Sequence, residues 1–210
     1  MQEQRTLYSF LNVDRSARVR WLLHELDIPF QEKRIDLQKG EQKHEDYLRI
    51  NPFGTIPALE WKGHTLFESG AICLYLTEQH PERKLAPAPG EKNRAAYLQW
   101  ALFACSSLEQ IVFPWFGHKQ FNFPLANVEE VEKKLDAALT TLTQSLKGSP
   151  YVLGNEFSTA DILLSYPLSL LQRLGRLDAY PELKAYTARL QERPAARQAE
   201  VFTSAFPKMN

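Results

Sequence analysis

Residues 51–59, NPFGTIPAL, and residues 68–72, ESGAI, carry the strongest structural signal in this chain. In the first segment the step Ile56-Pro57 lies between a glycine turn and a short apolar run. A cis bond there would direct the N–H and C=O of Ile56 outward, as an edge that can pair with an extended peptide. In the second segment Ser69 is predicted to cap a helix whose amides and dipole attract a carboxylate, and Glu68 beside it suits an ammonium group.

Hydrophobic periodicity predicts that these segments belong to an alternating series of strands and helices. The predicted elements are a strand at 6–11, a helix at 15–26, a strand at 32–37, a short helix at 47–50, a hairpin at 58–67 and a helix at 69–79. This order predicts a single sheet that contains one parallel crossover and one hairpin.

The second half of the chain has only helical patterns after a linker rich in proline and glycine. Helices are predicted at 91–113, at 128–146, from Ser158 and from Tyr180-Pro181, the last broken at 193–195. Ser158-Thr159-Ala160-Asp161 has the spacing of a capping box, which gives Asp161 a structural role rather than a catalytic one.

Together, the Ile56-Pro57 step, the Glu68-Ser69 helix start and the order of elements resemble the cytosolic glutathione transferases of bacterial type. The resemblance covers nearly the whole chain and implies an α/β plus all-α fold. Its parts are a thioredoxin-like glutathione-binding domain at residues 1–81, a linker at residues 82–90 and an all-helical domain at residues 91–210, which supplies the electrophile pocket.

Composition narrows the possible partners. The chain has 210 residues with 25 basic and 25 acidic side chains, so its net charge of zero gives no reason to expect nucleic acid or an anionic membrane as a partner. No apolar stretch approaches the ~20 residues that span a bilayer, and the N-terminus has no leader pattern, so we expect a cytoplasmic protein. Cys73 and Cys105, the only cysteines, are expected to be reduced, and no metal-binding, nucleotide-binding or serine-hydrolase motif occurs.

The resemblance assigns a set of glutathione-binding residues, with glutathione as co-substrate. Ile56 is expected to hold the cysteinyl backbone, and Glu68 and Ser69 the γ-glutamyl end. Gln42 and Lys43 match a loop that meets the glycine carboxylate in several classes of the family, although Gln38, Lys39 and Lys62 are alternatives to Lys43. The complete set is Gln42, Lys43, Thr55, Ile56, Pro57, Glu68 and Ser69.

The segment that activates the thiol departs from the family pattern. A free cysteinyl thiol with a pKa of about 8.5 is mostly protonated at neutral pH. The residue that stabilises the thiolate in the family is usually Tyr, Ser or Cys, between the first strand and first helix. In this chain Val13 or Asp14 occupies the usual serine position and Ser9 lies near the usual tyrosine position. Asp14 would repel a thiolate and is predicted to be the N-cap of a helix that begins at Arg15.

Asn12 is therefore the leading catalytic candidate, because its amide can donate a hydrogen bond to sulfur from the loop before the helix. The alternative, that Asn12 only shapes the turn, has equal support. Ser9 and Ser16 are reserve candidates. Tyr8 is adjacent to Ser9 on a strand, so the two side chains should face opposite sides of the sheet.

An apolar pocket for the electrophile is expected on the first helix of the second domain. Its candidate residues are Trp100, Phe103, Ser107, Ile111, Trp115 and Phe116. Phe53 is a candidate anchor for a homodimer, a role that an aromatic residue in this loop has in some family members.

The expected activity is glutathione transfer to a hydrophobic electrophile, with detoxification as the expected role. A glutathione-dependent disulfide reductase is the first alternative, and isomerase or dehalogenase variants are also open. A non-catalytic interaction module is the third class, but the intact Pro57 and Glu68-Ser69 signature argues against it.

Overall fold

A four-stranded sheet organises the first part of the chain in the computed structural model, which describes residues 5–203. The strands are β1 (Arg5–Ser9), β2 (Gln31–Arg34), β3 (Ala58–Trp61) and β4 (His64–Phe67). Their order is β2-β1-β3-β4, with β1 and β2 parallel and the other two pairs antiparallel. The predicted parallel crossover and hairpin are both confirmed.

Helices accompany this sheet, with apolar side chains buried on both of its faces. They are α1 (Ser16–Glu25), α2 (Glu45–Leu48) and α3 (Ser69–Gln79), with 3-10 turns at Glu41–Lys43 and Pro81–Arg83. Tyr8 and Ala58 form a buried cluster with Ile35 and Tyr47. Leu7 and Leu59 are the strand neighbours of Tyr8 and Ala58, so their side chains point to the other face of the sheet, where they are fully buried.

The second part of the chain is helical. Its elements are α4 (Arg94–Leu102), a π-helical segment (Phe103–Leu108), α5 (Glu109–Phe121), α6 (Val128–Ser145), α7 (Thr159–Arg173), a 3-10 turn (Arg176–Ala179) and α8 (Pro181–Gln191). The predicted end of the first of these helices near residue 113 was wrong. The buried side chains of Trp115 and Phe116 continue the apolar face beyond Pro114, so the helix extends past the proline.

The capping box at the start of α7 is confirmed. The Asp161 carboxylate accepts hydrogen bonds from the Ser158 N–H at 2.8 Å and the Ser158 hydroxyl at 3.0 Å. It also accepts from the Val152 N–H at 3.1 Å and the Tyr186 hydroxyl at 2.7 Å. Burial raises the pKa of Asp161, against the opposing effect of these four donors. All four partners belong to the helical unit itself, which supports the structural role.

The chain divides into two units, and its last helix belongs to the first of them. One unit comprises residues 1–83 and 194–210, and the other comprises residues 84–193. Pro194 had been predicted only to break a helix, yet it is the first residue of α9 (Pro194–Ala199), a position where proline is tolerated. The structure groups this helix with the sheet, whereas the sequence-based division assigned it to the second domain. The outer ends of the predicted domains, residues 1–4 and 204–210, lie outside the described residues.

Within residues 5–203, no helix is long and apolar enough to cross a membrane. Cys73 is buried and Cys105 half-buried, and they do not form a disulfide with each other.

Candidate functional site

The edge of the sheet before β3 is built around the Ile56-Pro57 bond, which is cis as predicted. Two side chains hold the preceding residue in place. The Tyr47 hydroxyl and the Asn51 amide each donate to the Thr55 carbonyl at 2.7 Å. The same amide lies 3.1 Å from the Thr55 hydroxyl, and Asn51 is fully buried. Thr55 itself is exposed and Ile56 half-buried, so the clamp fixes the backbone that leads into the predicted peptide-binding edge.

Sequence reasoning missed both members of this clamp. A signal for one of them was present, because Asn-Pro favours a turn in which the Asn side chain bonds the backbone two residues ahead. The structure contains that bond, from the Phe53 N–H to Asn51 Oδ1 at 3.1 Å. Tyr47 offered no such signal, since a buried aromatic residue on a short helix is usually only part of a core.

A close backbone approach brings the Gln42 loop to the same edge. Gly54 has φ +59°, and a Cβ at this position would lie 2.8 Å from the backbone oxygen of Gln42. Gly54 is therefore required both by its left-handed conformation and by the space available. The Gln42 side chain has a buried Oε1 with no hydrogen-bond partner among the described residues, whereas Lys43 is exposed. Of the two predicted loop residues, the structure buries the polar atom of one and leaves the other in solvent.

The start of α3 differs from the predicted Ser69 cap. Glu68 occupies the N-cap position, Ser69 is already the first helical residue, and the Glu68 side chain makes no cap hydrogen bond. The reason is that β4 ends at Phe67, so a single residue has to turn the chain from strand to helix. Glu68 makes this turn at φ 68° and ψ 109°, a conformation that non-glycine residues seldom adopt, and its side chain is exposed. The first amides of α3 have no acceptor within the helix and, with the helix dipole, suit an anion.

The loop between β1 and α1 is shaped by the carboxylate of Asp14. It accepts hydrogen bonds from the backbone N–H groups of Phe10 at 3.0 Å, of Leu11, and of Ser16 at 2.7 Å. The helix begins at Ser16, and Arg15 occupies the N-cap position without a side-chain cap. The prediction that Asp14 is the N-cap was therefore wrong by one residue, although its carboxylate accepts from the first helical amide, that of Ser16.

Both reserve serines are buried and bonded to carboxylates. The Ser9 hydroxyl donates to Glu32 Oε1 at 2.6 Å. The Ser16 hydroxyl donates to Asp14 and accepts from Arg20 Nη2 at 3.3 Å. Each hydroxyl proton is therefore already engaged, which makes both residues poor partners for a sulfur atom.

Tyr8 is also engaged elsewhere. Its hydroxyl donates to Glu60 Oε2 at 2.7 Å, and its ring packs on Tyr47 with centroids 5.7 Å apart. Burial, together with the hydrogen bond and charge of Glu60, raises the pKa of Tyr8 to about 12. Ser9 bonds Glu32 instead, in agreement with the prediction that adjacent strand residues point to opposite faces.

Asn12 has a different environment, because it is half-buried and lies between two charged side chains. Its Nδ2 donates to the carboxylate of Glu200, and its Oδ1 accepts from Arg34 Nη2. Neither partner was identified from the sequence. They lie 188 and 22 residues away along the chain, and no local pattern connects such distant positions.

An ion pair between the buried Arg20 and the half-buried Glu32 supports this loop. Arg20 is only 5% exposed, and its Nε and Nη2 both bond Glu32, with Nε to Oε1 at 3.1 Å. Burial alone would raise the pKa of Glu32. Hydrogen bonds from Arg20 and Ser9 and the charges of Arg20 and Arg34 outweigh burial, so the pKa lies below its ordinary value.

The predicted electrophile-pocket residues differ in exposure. Trp100, Trp115 and Phe116 are buried, Phe103 and Ile111 are half-buried, and Ser107 is exposed. Trp100 and Phe103 pack edge to face at 5.4 Å. Trp115 donates to Glu132 of α6 at 3.3 Å and lines a cavity of about 460 Å³ with Lys119 and Arg176. The structure thus pairs Trp100 with Phe103 and directs the Trp115 indole N–H toward α6.

Within residues 5–203, no group of three or more His, Cys, Asp or Glu side chains could hold a metal ion.

Comparison with known proteins agrees with this geometry. Residues 3–78 match the model of the glutathione S-transferase N-terminal domain, and residues 104–194 match that of the C-terminal domain. Probable maleylacetoacetate isomerase 2 of Drosophila melanogaster is 33% identical over 208 residues, which cover 93% of this chain and 87% of the relative. Disulfide-bond oxidoreductase YfcG of Escherichia coli is 31% identical over 198 residues, with 87% and 88% covered.

Solved structures give the same result. Glutathione transferase F7 from Populus trichocarpa superposes with a TM-score of 0.85 at 26% identity, covering 95% of this chain and 100% of that chain. BphK, a bacterial glutathione transferase solved as a ternary complex, superposes with a TM-score of 0.80 at 31% identity, covering 92% and 96%. The resemblance inferred from the Ile56-Pro57 and Glu68-Ser69 motifs is confirmed, and the chain belongs to the glutathione S-transferase family, with glutathione as its co-substrate.

Proposed function

We propose that this protein binds glutathione along the Ile56 edge and activates its thiol beside Asn12. The observation that carries the proposal is the Ile56 edge, where Tyr47 and Asn51 hold the preceding carbonyl, together with the start of α3, where the Glu68 side chain makes no cap hydrogen bond. The edge supplies backbone partners for the cysteinyl residue of glutathione. The amides at Ser69 and the carboxylate of Glu68 supply partners for the two charges of the γ-glutamyl end.

Gln42 and Lys43 complete the proposed binding set at the glycine end. The buried Gln42 Oε1 lacks a hydrogen-bond partner among the described residues, so a rotation of this side chain that exposes the oxygen to an N–H of the ligand would satisfy it. Lys43 is exposed in the adjacent 3-10 turn and can pair with the glycine carboxylate without paying for burial.

Asn12 is the proposed catalytic residue. An asparagine amide has two N–H donors, and one of them is committed to Glu200. The second can donate to the sulfur, which favours the thiolate over the thiol and lowers its pKa. The neighbouring hydroxyls of Tyr8, Ser9 and Ser16 all donate to carboxylates, so Asn12 has the better placed donor for this task.

We propose conjugation to a hydrophobic electrophile as the reaction, in a detoxifying role. The proposed electrophile-pocket residues are Trp100, Phe103, Ser107, Ile111, Trp115 and Phe116, of which Trp100, Trp115 and Phe116 are buried. A homodimer is the proposed assembly, anchored by Phe53, whose side chain is 73% exposed and packs on Phe67. The cytoplasmic location stays a prediction.

Disulfide reduction is the second candidate, favoured by the engagement of the Tyr8, Ser9 and Ser16 hydroxyls and by the similarity to the Escherichia coli disulfide-bond oxidoreductase. In that reaction two glutathione thiols are oxidised to one disulfide while the substrate disulfide is reduced to two thiols. An amide that stabilises a thiolate without donating a proton suits this chemistry as well.

A pH titration of bound glutathione, followed by thiolate absorbance, tests the proposal. We expect saturable binding and a thiol pKa well below that of free glutathione. The Asn12→Ala variant should bind glutathione but raise this pKa, whereas Glu68→Gln should weaken binding and leave the pKa of the bound thiol unchanged. Asn155→Ala, an exposed asparagine of the helical unit, is the matched control.

Absence of binding to the wild-type protein would refute the glutathione site. Binding with an unchanged pKa in Asn12→Ala would remove Asn12 from the mechanism. Turnover of an aryl halide against turnover of a small mixed disulfide then separates conjugation from reduction, since each substrate supports only one of the two reactions.

A further inference from the structure

The residue that follows α9 is held in an unusual backbone conformation next to the loop between β1 and α1, residues 10–15, which we call the thiol loop. Glu200 has φ 55°, in the left-handed region that non-glycine residues seldom occupy. Its carboxylate accepts a hydrogen bond from Asn12 Nδ2 across 188 residues of sequence. A strained residue that contacts a candidate catalytic side chain is worth testing for a role in function.

Two contacts fix this segment relative to α1, and a third closes the end of α9. The buried Arg20 donates from Nη1 to the Ala199 carbonyl at 3.2 Å. The Glu200 N–H donates to the Arg197 carbonyl at 3.2 Å, and Phe202 packs edge to face on Trp21 at 6.3 Å. Because Arg20 also bonds Glu32 and Ser16, one buried guanidinium connects the end of α9 to the base of the thiol loop.

The opposite side of the Asn12 amide is fixed by β2. Arg34 donates from Nη2 to Asn12 Oδ1 and from Nη1 to the Phe10 carbonyl at 3.2 Å. Reversing the amide would bring Nδ2 against a guanidinium and Oδ1 against the carboxylate of Glu200, two repulsive contacts. The pair of opposite charges therefore permits only one orientation of the amide.

We propose that Arg34 and Glu200 are positioning residues that orient the Asn12 amide toward the sulfur of glutathione. Arg34 draws electron density from the amide oxygen, which makes the remaining N–H a stronger donor, and Glu200 holds the other N–H. The proposal rests on the proposed role of Asn12. It adds a residue from the end of α9, a segment that the sequence-based division assigned to the all-helical domain. Asn12 bonds Arg34 of β2 and Glu200; Arg34 also bonds Glu32, the partner of Arg20 of α1, and Asp14 lies in the same loop as Asn12.

A pair of substitutions at Glu200 separates positioning from charge. Glu200→Gln keeps an acceptor for Asn12 but removes the negative charge, and Glu200→Ala removes both. We expect Glu200→Ala to raise the pKa of the bound thiol and to lower kcat at neutral pH about fivefold, the worth of one ordinary hydrogen bond, with KM for glutathione nearly unchanged. Glu200→Gln should keep the wild-type thiol pKa or lower it slightly.

The same measurement in an Asn12→Ala background tests whether the effect passes through Asn12. If it does, adding Glu200→Ala to Asn12→Ala should change the thiol pKa no further. Arg34→Lys, which keeps the charge and one donor, should retain more activity than Arg34→Ala. Gln198→Ala, an exposed position in the last turn of α9, controls for general damage to the segment.

Three results would overturn the positioning role. They are an unchanged thiol pKa in Glu200→Ala, an equal fall of kcat in Glu200→Ala and Glu200→Gln, and a thiol pKa in the Asn12→Ala, Glu200→Ala double variant that shifts by the sum of the two single shifts. An unchanged pKa in Asn12→Ala alone would instead overturn the proposed catalytic role of Asn12. The two failures are therefore distinguishable. Should Glu200→Ala not fold, Glu200→Gln and the Arg34 pair still decide the question, because positioning requires Arg34→Ala to raise the thiol pKa more than Arg34→Lys.

Discussion

The two sides of the candidate site are built in different ways. The glutathione edge is the backbone at Thr55 and Ile56. It depends on contacts within a short stretch of sequence, where Tyr47 and Asn51 hold the carbonyl of Thr55. The thiol loop depends on side chains from β1, β2, α1 and the segment after α9, joined through Arg20 and Glu32. A local motif therefore specifies the first, and only the assembled fold specifies the second.

Substitution of Arg20 should cause the largest loss of unfolding free energy and should disturb the thiol loop rather than the glutathione edge. Arg20→Met leaves Glu32 in place without its principal partner and frees the Ala199 carbonyl. Removing one member of a buried ion pair typically costs about 3 to 5 kcal/mol, and we expect the lower end here because the Glu32 side chain is 20% exposed. Urea unfolding monitored by circular dichroism measures the loss.

The separation of the two sides predicts which properties of the Arg20→Met variant change. In the folded fraction, glutathione affinity should stay close to wild type while the pKa of the bound thiol rises, because the edge does not depend on Arg20. A Glu32→Leu change added to Arg20→Met should recover part of the lost stability, since an apolar replacement of both partners removes the uncompensated charge. No recovery, or an equal loss of glutathione affinity, would contradict the separation of the two sides.

Substitutions in the Asn51 clamp should have an intermediate effect and should act on the edge. Asn51→Ala leaves the Phe53 N–H without its acceptor and removes one of the two donors to the Thr55 carbonyl, in a fully buried position. We expect a loss of about 2 to 3 kcal/mol of unfolding free energy and roughly tenfold weaker glutathione binding. Isothermal titration calorimetry and urea unfolding measure the two effects.

Tyr47→Phe is the matched variant on the same carbonyl. It removes only the hydroxyl donor, and Asn51 still bonds Thr55, so the loss should be about 1 kcal/mol. In neither variant should the pKa of the bound thiol move. A thiol pKa that rises in Asn51→Ala would show that the edge and the loop are coupled.

This contrast explains which parts of the molecule could be predicted from the sequence. The strand order, the hairpin and the cis Ile56-Pro57 bond follow from periodicity and from short motifs. The helix start at Ser69 was placed correctly, but the cap was assigned to the wrong residue, because motif spacing does not reveal that one residue makes the whole turn from β4. Local sequence patterns therefore predict the positions of strands, turns and helices better than the role of an individual side chain.

The partners of Asn12 could not be predicted for a different physical reason. Glu200 and Arg34 are charged residues at exposed positions, and on sequence alone such residues are expected to be solvated. Their meeting depends on α9 packing against α1, and α9 itself was hidden because Pro194 was interpreted as a break rather than as a first helical residue. The break itself is confirmed, since α8 ends at Gln191, but the helix that Pro194 begins was missed, and with it Glu200, one of the two partners of Asn12.

The smallest predicted effect is a pH dependence specific to Glu32. Its pKa in the folded protein lies below the ordinary value of about 4.3, so the unfolded state binds more protons as the pH falls through this range. The stabilisation is fully present above the ordinary pKa and is lost as the pH falls through the lowered folded value. The Glu32→Gln variant lacks this group, so the difference in unfolding free energy between wild type and variant should shrink below about pH 4.5.

The difference between the two proteins is the quantity to measure, since other carboxylates titrate in both and cancel. Glu130 supplies the control: Lys134 also holds its pKa below the ordinary value, but the pair is exposed, so Glu130→Gln should give a smaller and salt-sensitive change. A difference for Glu32→Gln that stays constant down to acidic pH would mean that the carboxylate serves only as a hydrogen-bond acceptor. A difference that shrinks would show that the thiol loop, unlike the glutathione edge, is held by charge and is therefore the side of the site that acid loosens first.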